Sequence, residues 1–129
     1  AGELTAIVEL VAAKGLPNRD KMKFKAQDPY AVLAVVDSVH HKPLVKETVR
    51  TKTMEKGGTD PVWTPEFEPV MRLNVPREVA ARADARLLVE LRDEDTFGYD
   101  FIAWCEFPFP PATSEDTAAP KPEWIPVFD

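Results

Sequence analysis

The chain has 129 residues and a formal charge of −6, with 22 Asp and Glu against 16 Lys and Arg, and is 44% hydrophobic. Its length suits one domain over residues 1–129, and its apolar content buries a core and excludes a disordered chain. The acid excess excludes the basic footprint of a nucleic-acid binder and, at face value, argues against an anionic membrane. A single cysteine, Cys105, excludes an internal disulfide framework and a multi-thiolate zinc site and suits a reducing compartment. The longest apolar run, Tyr30 to Val36, falls far short of the roughly 20 residues that span a bilayer. The opening Ala1-Gly2 lacks a methionine, and we expect a module of a larger protein.

Leu4 to Val11 mixes β-branched and apolar residues and ends at Lys14-Gly15-Leu16-Pro17-Asn18, a strand followed by a turn. A polar loop then runs to Asp28-Pro29, and Tyr30 to Val36 reads as a buried strand. From Val45 to Met54 the residues alternate. That predicts a strand with Val45, Glu47, Val49, Thr51 and Thr53 on one face, and Lys46, Thr48, Arg50, Lys52 and Met54 on a basic face. Gly57 to Pro61 is a break, and Phe67 to Leu73 is a further strand, with Pro69 marking an edge or a bulge. Asn74 to Ala83 is the one expected helix, capped by Asn74 with Pro76 in its first turn.

Leu87 to Arg92 is a strand that enters the acidic stretch Asp93 to Asp100. Phe101 to Phe109 follows, then a Pro/Ala-rich connector over about 110–122, then a last short strand at Trp124 to Phe128. Thirteen prolines against five glycines disfavour long helices. About seven strands and at most one short helix describe an antiparallel β-sandwich.

Asp93-x-Asp95-x-x-x-x-Asp100 crowds three aspartates into eight residues. Like charges this close destabilise a fold unless something neutralises them, and a hard cation that takes oxygen ligands, chiefly Ca²⁺, suits such a loop. The alternative is a solvated polar loop. Asp20 and Asp28 in the first loop would complete a five-carboxylate site if both loops lie at one end of the sandwich.

At this point the sequence resembles a C2 domain. The resemblance is carried by Ala13-Lys14-Gly15-Leu16-Pro17-Asn18-Arg19-Asp20, by Gln27-Asp28-Pro29-Tyr30 before an apolar strand, by Asp60-Pro61-Val62-Trp63-Thr64-Pro65-Glu66-Phe67, and by Leu88 to Ile102. It implies an all-β, antiparallel Greek-key β-sandwich of seven to eight strands, of type II topology with the last strand missing or atypical. It also implies Ca²⁺-dependent binding to anionic phospholipid, with Asp20, Asp28, Asp93, Asp95 and Asp100 as ligands and backbone carbonyls near Lys21 and Glu94 completing the coordination. Asp20 to Asp28 is longer than is common in the family, Asp95 to Asp100 is shorter, and Ala103 stands where a glycine often does.

The loop tips carry a second signal. Lys21, Met22, Lys23, Phe24 and Lys25 alternate cation with apolar group, and Phe97 and Tyr99 sit among the acids of the other loop; such residues favour a lipid interface. Phe24 and Phe97 could instead fold back as loop cores. Lys46, Arg50 and Lys52 form a candidate phosphoinositide patch. His40-His41 reads as a plain loop rather than a transition-metal site, because neighbouring residues on a strand end point to opposite faces.

No nucleophile elbow, Gly-rich phosphate loop or H-E-x-x-H motif is present in the sequence, so we expect a regulatory or targeting module rather than an enzyme. The expected partner is an anionic membrane containing phosphatidylserine or phosphoinositides, reached from the cytoplasm when Ca²⁺ rises. The competing reading is a Ca²⁺-independent protein-interaction module that uses its sheet edge or its Pro-rich C-terminal segment.

Overall fold

A computed structural model of the protein describes residues 2–19, 26–109 and 124–129. The architecture is all-β, with two antiparallel sheets packed face to face. β1 (Glu3–Glu9) pairs with β4 (Val70–Pro76) in one sheet. The other has the order β3-β2-β5-β6, with β2 at Pro29–Asp37, β3 at Val49–Arg50, β5 at Ala85–Asp95 and β6 at Gly98–Pro108. β1 skips to β4 and β2 skips to β5, the crossed connections of a Greek key.

Period-2 alternation explains the first sheet. Leu4, Ala6 and Val8 of β1 stand opposite Val75, Leu73 and Met71 of β4 and turn inward together. They meet Ala31, Leu33 and Val35 of β2, Leu87, Val89 and Leu91 of β5, and Ile102 of β6 in one core.

Several elements differ from the sequence reading. The expected helix shrinks to α1 (Arg77–Ala80), because Asn74 stays in β4 opposite Thr5 and Pro76 becomes the cap. The strand expected from Phe67 starts only at Val70: Pro65–Phe67 forms a 3₁₀ turn that ends on Glu68 in the left-handed region, with φ 50°. The strand expected over Val45 to Met54 reduces to β3. The rest of that segment still follows β2 through single bonds, from Leu44 N–H to Val35 O (2.9 Å), Thr51 N–H to Ala31 O (3.0 Å) and Met54 N–H to Pro29 O (2.9 Å). The Thr51 hydroxyl accepts the Ala31 N–H where a ladder carbonyl would stand, and Met54, expected on the exposed basic face, is buried. The described residues carry six strands, and the segment at Trp124 to Phe128 contributes a single bridge, Phe128 to Trp104.

Candidate functional site

The acidic stretch Asp93 to Asp100 is a β-hairpin rather than an open loop. β5 runs through Asp95, and β6 restarts at Gly98, whose φ of 146° suits glycine. Only Thr96 and Phe97 form the tip, and Phe97 is 98% exposed.

A β-bulge decides which residues face each other on the hairpin. Leu91 pairs with Ala103 but Arg92 pairs with Phe101, leaving Ile102 as the extra residue. The one-residue shift sets Asp100, rather than Phe101, opposite Asp93. Alternation places Asp95 on the same face of β5 as Asp93. On its other side Asp93 stands opposite Pro29, so Asp28 arrives beside the pair.

Asp93 is only 5% exposed, and its Oδ1 accepts the Asp28 backbone N–H at 2.7 Å. The Asp28 carbonyl in turn accepts the Glu94 N–H at 2.9 Å. Half-buried Asp28 spends Oδ1 on the Lys56 N–H, also at 2.7 Å, which ties residues 55–58 to the same end. Asp95 is exposed, with Oδ1 accepting the Thr96 N–H, and Asp100 is half-buried.

Gln27 is the positioning residue that the sequence reading passed over. Fully buried, it accepts the Arg19 N–H at 2.9 Å and donates to Pro17 O (2.9 Å) and Gly58 O (3.1 Å). It thereby pins both ends of the first loop and the residue 58 turn together. Its signal was a polar residue two positions before a strand that is buried along most of its length. Asp20, Lys21, Met22, Lys23, Phe24 and Lys25 lie outside the described residues. Among the described residues no three His, Cys, Asp or Glu side chains gather as a metal cluster. The donors at this end are carboxylate oxygens, the chemistry that hard divalent cations take.

The opposite face of the hairpin is cationic and aromatic. The Arg50 guanidinium lies 3.7 Å from the Tyr30 ring centroid, and that of Arg92 lies 4.0 Å from the Tyr99 ring. Tyr99 therefore belongs to strand β6 and carries a guanidinium on its ring, while Phe97 is the aromatic of the tip. Of the candidate phosphoinositide residues, Lys46 is exposed, Arg50 lies 3.8 Å from Glu94, and Lys52 lies 3.6 Å from Glu68. His41, at φ 54°, meets Glu106 through Nε2 at 2.7 Å and sits edge-on to Trp104, which gives His41 a structural role, while His40 is exposed. Burial pushes the Cys105 thiol up, away from thiolate reactivity.

A family model described as the C2 domain matches residues 4–127. The chain belongs to the C2 domain family. None of the curated proteins matches it in sequence comparison. C2 domains are binding and regulatory modules associated with membranes, and in this C2 domain the two acidic segments meet at one end of the sandwich. No described helix is long and apolar enough to cross a membrane.

Proposed function

We propose that this C2 domain binds anionic phospholipid membranes in a Ca²⁺-dependent manner, recruiting a cytoplasmic protein to the bilayer when Ca²⁺ rises. The observation that carries the reading is the hairpin: a fully exposed Phe97 caps a stem that carries Asp93, Asp95 and Asp100 beside Asp28. An aromatic ring held in water beside carboxylates is unfavourable in solution and useful at the headgroup boundary.

Asp28, Asp93, Asp95 and Asp100, with Asp20, would hold the ion. When bound, Ca²⁺ supplies positive charge and open coordination positions for lipid phosphate or carboxylate oxygens. The chain's own residues do the rest. The aspartates repel anionic headgroups while uncompensated; Phe97, with Met22 and Phe24, inserts; Lys21, Lys23 and Lys25 meet anionic lipid. With five of the six net negative charges assigned to the site, the remaining surface is formally −1 and no longer opposes an anionic bilayer. Lys46, Arg50 and Lys52 would contact phosphoinositide headgroups, in competition with Glu94 and Glu68.

Sedimentation with phosphatidylserine vesicles tests the reading. Binding should need Ca²⁺ and vanish with a chelator. Equal binding in both conditions overturns the Ca²⁺ switch in favour of Ca²⁺-independent attachment. Calcium uptake without vesicle binding points to a protein partner instead.

A further inference from the structure

Three aromatic residues of β6 share one face. Tyr99 stands opposite Glu94, Phe101 opposite Arg92 and Trp104 opposite Glu90. Those β5 residues alternate with Val89 and Leu91 of the core, so they and their cross-strand partners face away from it. Residues 99 and 104 differ in parity, and a regular strand would set them on opposite faces. The extra residue at Ile102 restores the phase, with Ile102 and Ala103 themselves buried. Phe101 is 37% exposed and Tyr99 47%. Phe97 begins the row at the hairpin tip, and half-buried Trp104, 5.0 Å from the exposed Phe128 ring, ends it.

The charges beside this row cancel. Arg92 meets Glu90 at 3.0 Å, and Arg50 lies 3.8 Å from Glu94. Asp93 and Asp95 have the other parity of β5, so the row does not carry their charge. One side of the hairpin stem is thus acidic, and the other is a neutral strip of rings, with the Arg92 guanidinium laid on Tyr99 at 4.0 Å. Contiguous exposed rings are unfavourable in water, and rings with guanidiniums beside them suit the headgroup boundary, where an apolar body and a polar end are both accommodated. The row is also continuous with Phe97.

We propose that the domain docks with this hairpin inclined along the headgroup boundary, so that Tyr99 and Phe101 of β6 contact lipid together with Phe97. This orientation rests on the membrane reading above and adds Phe101 to it. Phe101 lies four positions from Phe97, roughly 13 Å of strand at about 3.3 Å per residue. Apolar faces at an interface sink about 5–10 Å into it. End-on insertion of the tip therefore leaves Phe101 in water. An inclined hairpin seats both rings and keeps the carboxylate end beside the headgroups.

The test places the isotopically labelled whole chain on phosphatidylserine-containing bicelles that carry a nitroxide lipid, with and without Ca²⁺, and reads paramagnetic broadening of its amides. With Ca²⁺ we expect broadening at Phe97, Tyr99 and Phe101 and none at Arg72 or Asn74 of β4. Phe101→Ala should lower vesicle affinity at least threefold and leave lipid-free Ca²⁺ uptake unchanged, whereas Phe101→Trp should keep the affinity. Broadening confined to residues 96–98, or full affinity in Phe101→Ala, overturns the inclined orientation and leaves the membrane reading standing. Broadening of the whole row without Ca²⁺ supports the orientation and overturns the Ca²⁺ switch. No broadening and no sedimentation with vesicles overturns both. A concentration-dependent shift of the Phe101 amide without lipid gives the row to a second copy and overturns the lipid contact.

Discussion

The Asp28 backbone N–H and the Asp93 carboxylate meet at 2.7 Å, so an aspartate of the proposed metal site also holds the first loop to the end of β5. Structure and function are separable at this contact. Asp93→Asn keeps an acceptor oxygen and exchanges a charge-assisted hydrogen bond for a neutral one, a loss of about 1 kcal/mol. Asp93→Ala orphans the Asp28 N–H and should lose about 1–3 kcal/mol more. Urea unfolding should rank the three proteins in that order, while calorimetry should show Ca²⁺ uptake lost in both variants. Stoichiometric uptake by Asp93→Asn would refute the ligand assignment.

Gln27 should matter more than its polar character suggests. Gln27→Ala removes three hydrogen bonds and leaves the Arg19 N–H and the carbonyls of Pro17 and Gly58 without their partner. We expect about 2–3 kcal/mol of lost stability, read from the urea midpoint, and weaker Ca²⁺ binding because the first loop loses its pin. Wild-type stability would mean that water replaces the amide at little cost.

Phe97 behaves in the opposite way. Nearly fully exposed, it contributes no packing, so Phe97→Ala should unfold within about 0.5 kcal/mol of the wild type. Transfer of a Phe ring into an apolar environment contributes about 1.5–3 kcal/mol, so vesicle affinity in Ca²⁺ should fall about tenfold or more. Unchanged affinity would remove the hairpin tip from the membrane contact.

Asp60 supplies a pH dependence. The Gly15 N–H, donated at 2.9 Å, and then the Thr59 hydroxyl hold its carboxyl below the ordinary carboxylate value. A group whose folded pKa is depressed contributes stability above its unfolded pKa and loses it as pH falls through the folded value. Asp60→Asn should therefore be less stable than the wild type at pH 7, and the gap should close below about pH 4. A gap that stays constant from pH 7 to pH 3 would show that the charge on Asp60 is immaterial to stability.

The legible parts of the fold were those whose periodicity survives in the structure. β1, β2 and β5 lie where alternation or an unbroken apolar run places them, and Pro69 does stand at the boundary of an edge-sheet strand. The helix over Asn74 to Ala83 misled because a polar Asn before a proline reads equally as a cap or as an outward strand position, and its pairing with Thr5 settled the choice. β3 misled because alternation records which side chains turn inward and is silent on whether backbone groups meet in register.

By itself the sequence determined the residue types: an apolar pattern that closes into a sandwich, five aspartates in two segments, and two aromatics between Asp95 and Asp100. Which aspartates meet was decided only in three dimensions. The bulge at Ile102 sets Asp100 opposite Asp93, and pairing of β2 with β5 delivers Asp28 to the same end, across 65 residues of chain. A bulge leaves no periodic trace, since it shifts phase by one residue, and cross-strand pairing depends on contacts between segments that no local pattern encodes.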